Sequence, residues 1–366
     1  IVGFDSRVFG NPSIRWETTT TLNVGFDASL LNNRLGIAFD WYDADTEDML
    51  FNPPVAGTRG FAAAPFQNIG TMNHTGVDFA IYYGSRPGND FTYNVAVNLS
   101  RYVNEVISID FNETTFIESG VFRDFRATRT EAGQELASFY GYIIDGIYQN
   151  QAEVDAGPDY ENAAVGRFKF RDVDGDGAIT ADDQTWLGSP HPDFSYGLNI
   201  ALGYKGLDLT IFIQGVQGNE LFNANKLFTD FPTFQQNRSK RVVNSSFGFN
   251  GANNATAILP LLTENSPSIE RSNTSYYVED GSYTRLKNIQ LGYTLPKDIA
   301  GKIGLDRLRF YVQGINLLTI TDYQGLDPEV NLANYFAGSR ADLDMGVDRG
   351  SYPVAKSILF GINADF

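Results

Sequence analysis

The 366-residue sequence contains no cysteine and only 2 histidines. Without cysteine, thiol catalysis, thiolate metal sites and disulfides are all excluded, so the fold depends on backbone pairing and packing. Neither His74 nor His191 has a serine or carboxylate at the spacing of a catalytic triad. We therefore expect that this chain catalyses no reaction and is not an enzyme.

Positive charge is also scarce, because 27 Lys and Arg residues stand against 44 Asp and Glu and give a formal net charge of -17. Nucleic-acid binding needs a basic stripe that releases counterions, so we expect no nucleic-acid partner. Long apolar runs are missing too, since none approaches the roughly 20 residues that a membrane helix requires. Any crossing of a membrane must therefore be made by strands.

The sequence is instead rich in residues of strands and tight turns, with 36 Gly, 28 Phe and 19 Tyr. Apolar residues alternate with small or polar ones over long stretches. The apolar sets are Trp16, Leu22, Val24 and Phe26; Leu35, Ile37, Phe39 and Trp41; Phe91, Tyr93, Val95, Val97 and Leu99; Phe194, Tyr196, Leu198, Ile200 and Leu202; and Ile358, Phe360, Ile362 and Phe366. This period of two predicts strands with one apolar and one polar face.

Apolar and polar residues alternate in the strands of two all-β folds, a soluble sandwich and a transmembrane barrel. The lengths of the connections distinguish these two folds. Short connections at 32–33, 87–89, 204–205 and 296–306 alternate with long ones at 47–73, 102–191, 217–281 and 319–354. Outer-membrane barrels have short periplasmic turns and long extracellular loops. The sequence therefore predicts an all-β fold, a transmembrane antiparallel β-barrel with long extracellular loops.

The number and direction of the strands indicate a part of a barrel. The pattern contains about nine strands, whereas closed single-chain bacterial barrels have an even number. The first strand leads into a short turn and so descends to the periplasm, and the last also descends and ends at the aromatic Phe366. We expect residues 1–366 to form the carboxy-terminal part of a barrel whose amino-terminal strands lie outside this chain.

Several ordered sequence blocks identify a family. They are GNP at 10–12 with WET at 16–18, NIGTMN at 68–73 with GVDF at 76–79, FKFRD at 168–172, YVEDGSYTRLKN at 277–288 and GINLL at 314–318. In this order they resemble the carboxy-terminal barrel portion of SusC/RagA-type TonB-linked outer-membrane proteins. The resemblance extends over nearly the whole chain.

The resemblance implies a barrel of about 22 strands with an amino-terminal plug. It implies a location in the outer membrane of a Gram-negative, Bacteroidetes-type cell, and nutrient import powered by periplasmic TonB. It also implies as partners a SusD-like surface lipoprotein, the lipid bilayer, and a glycan or peptide substrate. The plug and the TonB-contacting segment are expected to lie in the amino-terminal barrel and plug segment, which this sequence does not include.

One acidic stretch, within the predicted loop region 166–186, has the spacing of a calcium loop. Asp172, Asp174 and Asp176 take positions one, three and five, Ala178 offers its carbonyl at seven, and Asp183 closes the loop at twelve. These oxygens predict a structural Ca²⁺. Because aspartate at position twelve is shorter than the usual glutamate, Mg²⁺ is the alternative ion. A plain acidic turn built from Asp-Gly steps is the alternative without an ion.

Aromatic and basic side chains of the predicted loops and strand ends are further candidates for contacts with a ligand, a partner or the membrane interface. The loop aromatics Trp186, Phe228, Phe231 and Phe234 suit either stacking on a sugar or partner, or packing within the loops. We predict that Tyr42, Tyr82, Tyr83 and Tyr293 belong to interfacial girdles. Residues 223–244, with Lys226, Arg238, Lys240 and Arg241, are predicted to form a short surface helix with a solvated basic side.

The leading hypothesis is therefore the wall and loops of an energy-coupled importer. The alternative is a soluble calcium-dependent carbohydrate-binding β-sandwich, in which a second sheet covers the apolar faces. An outer-membrane enzyme or a passive porin is a third class, and it requires a convergent catalytic pair or an open lumen. The sequence does not identify the substrate or the residues that contact it.

Overall fold

A computed structural model describes residues 10–52, 65–86, 88, 90–109, 116–123, 125–232, 237–249, 254–263, 267–330 and 342–366. A nine-stranded antiparallel sheet dominates it, with the strand order β1-β2-β3-β4-β11-β12-β15-β16-β18. The strands are β1 (Thr18–Leu30), β2 (Leu35–Phe51), β3 (Gln67–Gly84), β4 (Phe91–Ile109), β11 (Phe194–Tyr204), β12 (Leu207–Gln217), β15 (Tyr283–Thr294), β16 (Arg307–Thr321) and β18 (Ser357–Asp365). The predicted all-β, antiparallel architecture is confirmed.

Short and long connections alternate along the sheet, as the sequence predicts. The short ones are 31–34, 85–90, 205–206 and 295–306, and the long ones are 52–66, 110–193, 218–282 and 322–356. The tightest turn places Lys205 at φ 46° and Gly206 at φ 85°, the left-handed pair of a two-residue hairpin. All short connections lie at one end of the sheet, here called the short-turn end, and the long ones at the other, the long-loop end.

Strand register places the alternating residues on two faces, an apolar face and a polar face. On the apolar face, hydrogen-bonded neighbours form rows such as Tyr83, Val95, Ile200, Ile211, Ile289, Gly314 and Ile358. On the polar face, Asn94, Ala201, Thr210, Gln290 and Gln313 form an equivalent row. The period of two in the sequence thus becomes two chemically distinct surfaces.

The apolar face is open, which contradicts the sandwich alternative. Leu291 is 49% exposed, Phe310 43% and Ile358 65%. A sandwich would bury these side chains under a second sheet, and among the described residues no sheet covers them. This surface is suited to contact with hydrocarbon.

Three glycines on the polar face allow tyrosine rings to lie flat against the sheet. A Cβ on Gly36 would lie 1.8 Å from the Tyr82 ring, and a Cβ on Gly361 would lie 2.2 Å from Tyr311. Tyr82 is directly opposite Gly36, and Tyr42 likewise covers Gly76. The girdle prediction was therefore wrong for Tyr42 and Tyr82, which lie on the polar face, whereas Tyr83 and Tyr293 lie on the apolar face.

The long connections fold into smaller sheets, which together we call the loop layer (described residues of 116–188, 219–280 and 322–355). Its strands are β5 (Phe116–Phe122), β6 (Phe125–Glu131), β7 (Ser138–Tyr142), β8 (Ile144–Ile147), β9 (Phe168–Phe170), β10 (Gln184–Gly188), β13 (Glu220–Asn223), β14 (Val278–Asp280) and β17 (Val347–Asp348). They form a four-stranded sheet β10-β7-β6-β5, a three-stranded sheet β14-β13-β17 and the pair β8-β9.

The helices are all short. They are α1 (Gln151–Ala156), α2 (Lys226–Thr229), α3 (Lys240–Ser245) and α4 (Lys297–Ala300), with 3₁₀ turns at Ala181–Asp183, Asn254–Thr256, Ser268–Arg271 and Gly301–Ile303. None of the helices in the described part of the chain has the length and apolar character to cross a membrane.

Strands of the large sheet continue into the loop layer further than the sequence indicates. β2 extends to Phe51 and β4 to Ile109, because a second hydrophobic cluster forms there from Phe51, Met72, Val106 and Leu136. The N–H of Val106 also donates to the carbonyl of Gln134 at 2.9 Å. The nine-stranded sheet, here called the wall, and the loop layer are therefore joined by continuous strands as well as by packing.

A charge placed on the apolar face should destabilise the folded protein strongly. We expect Ile211→Arg to cost about 2–4 kcal/mol in a bilayer, because the guanidinium would enter hydrocarbon. The matched control Thr210→Arg, on the polar face, should cost much less. Urea unfolding of the full-length protein in liposomes measures both, and equal losses would show that lipid does not cover the apolar face.

Candidate metal centre and its loop layer

The acidic stretch 172–183 lies between β9 and β10 and is anchored at its centre to a neighbouring segment. The N–H of Asp159 donates to the carbonyl of Gly177 at 2.9 Å, and the N–H of Ile179 donates to the carbonyl of Asp159 at 2.8 Å. Gly175 and Gly177 have φ values of 79° and 87°, the left-handed region that favours glycine. These features fold the stretch into a compact turn on the loop layer.

Three predicted ligands meet in this turn. Carboxylate oxygens of Asp172, Asp174 and Asp176 lie within 4.8 Å of one another. Hydrogen bonds from the N–H groups of Gly177 and Gly175 hold Asp172, and the first of these contributes most to lowering its pKa. The turn therefore fixes the positions of the side chains that a cation would need.

The carboxylates of this turn repel one another when no cation lies between them. The N–H of Asp176 lowers the pKa of Asp174, but desolvation and the carboxylates of Asp176, Asp183 and Asp172 raise it by more. A raised carboxyl pKa means that the negative form is disfavoured by its surroundings. A bound cation would relieve this repulsion.

Asp183 and Ala178 have different surroundings from the three exposed ligands. Asp183 is fully buried, and its two oxygens accept hydrogen bonds from the N–H of Val173 at 2.8 Å and of Thr180 at 2.7 Å. It closes the two ends of the loop, and each oxygen keeps a second lone pair. At Ala178, the bridge to Asp159 uses the flanking Gly177 carbonyl and Ile179 N–H instead of the carbonyl of Ala178.

The donor set fits a hard cation. Every predicted ligand atom is an oxygen, the type that Ca²⁺ and Mg²⁺ prefer, and the carboxylates of Asp172, Asp174 and Asp176 converge, whereas Asp183 lies outside this group of three. Such an ion would order the loop. It would supply no chemistry at a substrate.

Loop aromatics pack mainly against one another. Phe231 is 1% exposed and lies edge-on to Tyr276 at a centroid distance of 5.6 Å. Trp186 packs edge-on against Tyr140 at 5.0 Å. Packing therefore explains these two rings, and Phe234 lies outside the described residues.

The prediction of a solvated basic helix at 223–244 was wrong. Lys226 is 5% exposed, and its Nζ lies 2.8 Å from Glu279 Oε1 and donates to the carbonyl of Tyr276 at 2.6 Å. Arg241 is paired with the fully buried Asp230 at 3.0 Å. Loops that fold over these charges remove water from them, and burial of a charge requires such partners.

Arg285 joins the polar face of the wall to the loop layer, which sequence reasoning missed. Its side chain is 1% exposed and makes ion pairs with Asp327 and with Glu329, the latter at 2.7 Å. Lys287 also pairs with Glu329 at 2.7 Å, and Asp327 accepts the N–H of Val354 at 3.0 Å. The sequence signal was available, since Arg285 and Lys287 belong to the block at 277–288.

His191 is fixed by structural contacts. It is 8% exposed, its Nε2 lies 2.9 Å from the carbonyl of Leu136, and its Nδ1 lies 3.1 Å from the hydroxyl of Tyr102. Burial lowers the pKa of His191. The side chain joins β4 to the loop layer. Both of its ring nitrogens are used in these contacts, and neither contact is to a serine or a carboxylate.

Comparison with known proteins decides the family. The model of the family described as "TonB dependent receptor-like, beta-barrel" matches residues 2–317. This chain belongs to that family. Its relatives include TonB-dependent receptor P3 of Formosa agariphila, 37% identical over 98% of this chain, and TonB-dependent receptor SusC of Bacteroides thetaiotaomicron, 25% identical over 97%.

Solved structures agree with this TonB-dependent receptor assignment. The RagAB peptide transporter superposes with a TM-score of 0.77 at 26% identity and covers 97% of this chain. The predicted SusC/RagA-like character is thus confirmed. This chain spans about a third of these proteins, 35% of receptor P3, 32% of SusC and 36% of the RagAB chain.

A buried ion pair gives the loop layer of this TonB-dependent receptor chain a titratable group. Glu270 is fully buried, with Arg167 Nη1 at 3.2 Å and the N–H of Phe168 at 3.3 Å. Burial raises the pKa of Glu270 to about 7, although Arg167 acts in the opposite direction. The carboxyl group therefore changes charge near neutral pH.

Stability of the loop layer should fall as the pH rises from about 4.5 to about 7. The folded-state pKa of about 7 lies above the ordinary value of 4.5, so the folded state holds this proton more tightly than the unfolded state. The contribution is complete below pH 4.5, is lost as the pH passes 7, and amounts to about 3 kcal/mol at most. Thermal unfolding of the full-length protein across this pH range measures it.

Glu270→Gln should remove this part of the pH dependence, because glutamine cannot ionise and resembles the protonated carboxyl group. Its cost through the loss of the charged partner of Arg167 should therefore appear above pH 7, where Glu270 is ionised in the wild type. Glu118→Gln is the matched control, because Glu118 forms a partly exposed pair with Arg126 in the same layer. Identical pH slopes for the wild type and Glu270→Gln would contradict the assignment to Glu270.

Proposed function

We propose that residues 1–366 are the carboxy-terminal wall and extracellular loops of an outer-membrane importer. TonB would power it through a plug in the amino-terminal part of the protein. The observation that carries the proposal is the nine-stranded sheet with one apolar and one polar face, in a chain that superposes on the RagAB peptide transporter. In a bilayer, the apolar face would meet lipid and the polar face would line the lumen.

The polar face suits the passage of hydrophilic nutrients. Arg309 pairs with Asp208 and donates to Gln290 at 3.0 Å, while Gln313 donates to Asn288 at 2.9 Å. These groups line the wall with donors and acceptors that a glycan or peptide can use. We assign the substrate class as glycan or peptide nutrients, in keeping with the resemblance to both SusC and RagAB.

The loop layer supports a partner on the extracellular side. It has its own aromatic core, which includes Phe125, Phe222 and Tyr277, and it is tied to the wall through Arg285. A surface that keeps its shape loses little entropy on binding. We infer that a SusD-like lipoprotein is the partner that covers this layer.

Uptake measurements test the importer directly. Cells with the full-length gene should accumulate labelled oligosaccharides or oligopeptides, and deletion of the gene or collapse of the proton-motive force should abolish uptake. Uptake that survives the collapse would identify a passive pore instead. A protein found only in the soluble fraction would contradict a membrane role altogether.

We also propose that Asp172, Asp174, Asp176, the carbonyl of Ala178, and Asp183 hold one structural Ca²⁺. The convergence of three carboxylates and the raised pKa of Asp174 support a cation at this position. Mg²⁺ is the competing ion, because the shorter aspartate at position twelve would supply one oxygen where the usual glutamate supplies two. The ion would order region 166–186 beneath the partner surface.

Calcium should stabilise this loop by mass action. At a free concentration one hundredfold above the dissociation constant, we expect about 2.7 kcal/mol of protection against proteolysis within 172–183. Asp174→Asn combined with Asp176→Asn should abolish the protection. Protease digestion of the full-length protein with Ca²⁺, Mg²⁺ or a chelator measures it.

The matched control is Asp182→Asn, which removes an exposed carboxylate from the same loop but outside the ligand set. It should leave the calcium response unchanged. An equal response in the double variant and the wild type would favour the plain acidic turn.

A further inference from the structure

The short-turn end of the sheet carries a net positive charge, although the chain as a whole is strongly acidic. We call residues 31–34, 85–90, 205–206 and 295–307 the periplasmic rim, because short turns face the periplasm in the proposed function. The rim has six basic residues, Arg34, Arg86, Lys205, Lys297, Lys302 and Arg307, and three acidic ones, Asp90, Asp298 and Asp306. The whole chain, in contrast, has a net charge of -17.

Carboxylates of the described residues do not neutralise these basic side chains. Within the described part of the chain, no carboxylate lies within 4.0 Å of any of the six. Arg309, just beyond the rim on the polar face, is paired with Asp208. Asp365, opposite Arg307 in the register of β16 and β18, is the nearest acidic residue of the last strand to the rim.

Arg34 is the rim residue whose side chain is held most firmly. Its Nε donates to the carbonyl of Gly84 at 3.1 Å, and its Nη2 donates to the hydroxyls of Tyr83 at 2.7 Å and Tyr93 at 3.1 Å. Its guanidinium carbon lies 5.1 Å from the centre of the Tyr83 ring. Nη1 donates to no described residue, so two N–H bonds of a fixed guanidinium remain available.

The guanidinium lies at the border of the apolar face. Tyr83 is opposite Leu35 and Val95, and Tyr93 is opposite Leu202, all on that face. Below them runs a row of mostly aromatic residues, Phe91, Tyr204, Leu207, Tyr293, Phe310 and Ile362. Rows of this composition mark the level of lipid head groups in outer-membrane barrels.

We propose that Arg34, oriented by Tyr83 and Tyr93, binds the phosphate of a phospholipid in the periplasmic leaflet. This inference rests on the proposed function, since it needs the apolar face to meet lipid. A planar guanidinium with two free N–H bonds matches a phosphate, and charge-assisted bonds of this kind are strong. Tyr83 and Tyr93 leave Arg34 few other orientations, so little entropy is lost on binding.

Position favours a lipid phosphate over a free anion. In the cross-strand row that contains Tyr83, the side chains of Leu35, Val95 and Ile200 provide an apolar wall along which acyl chains can lie. A free phosphate would gain only the head-group contacts and would lose its hydration on the apolar side. Asp90, in the same rim, is exposed and does not pair with Arg34 among the described residues.

Lipid retention by the full-length transporter tests the site. Native mass spectrometry in detergent, with phosphatidylglycerol titrated in, should show at least one lipid bound by the wild type. Arg34→Met should weaken this binding about fivefold, the contribution of one basic residue at an anionic membrane surface. Tyr93→Phe, which keeps the ring and removes one orienting hydroxyl, should weaken it less.

The control is Lys240→Met, which removes an exposed charge from the long-loop end and should leave lipid binding unchanged. Equal binding by the wild type and Arg34→Met would overturn the inference, as would displacement of the lipid by an equal concentration of inorganic phosphate. Nutrient uptake by the wild type tests the proposed function separately. A wild type that imports nutrients but binds lipid no better than Arg34→Met refutes the lipid site alone.

Discussion

The need to satisfy every backbone hydrogen bond without help from water is the constraint on which this structure depends. In hydrocarbon, an unpaired N–H or carbonyl costs several kcal/mol, and only helices and closed ladders of strands avoid that cost. With helices as short as those described, the ladder must be antiparallel strands. Pairing then places successive side chains on opposite faces of the sheet, so that Ile211 lies on the apolar face while its neighbour Thr210 lies on the polar face.

A second requirement governs the loop layer, where charges are buried together with aromatic rings. Lys226, Asp230 and Glu270 are each at most 5% exposed, and each has a partner of opposite charge. Removal of one member of such a pair typically costs 3–5 kcal/mol, because the other is left buried and unpaired. The pairs therefore act less as sources of stability than as constraints on which loops pack together.

Much of the wall could be predicted from sequence, because its rules are local. A period of two over consecutive residues gives strands and faces, and the ends of the alternating runs locate the short connections. The faces of Tyr42 and Tyr82 follow from the parity that places both opposite glycines, and proximity to a strand end does not indicate them. Parity was the more reliable signal, since one residue of offset reverses every side chain.

The loop layer was predicted poorly because its contacts are not local in sequence. Its sheets join segments far apart in sequence, as where Phe222 of β13 pairs with Val278 of β14 and Val347 of β17. No local pattern in residues 223–244 shows that Lys226 will be covered by Tyr276. The acidic turn at 172–183 is the exception, because its spacing is contained in twelve consecutive residues and the carboxylates meet without distant partners.

Continuity between wall and loops also bears on how the shape of the loop layer is held. β2 and β4 extend into the loop layer, and Arg285 ties residues 327–329 back to the polar face. Movement of these loops relative to the wall would separate buried ion pairs and open the cluster around Val106. Several such contacts would have to be lost together. The described loop layer is therefore tied to the wall at several points, and buried contacts within this chain hold the shape of its surface.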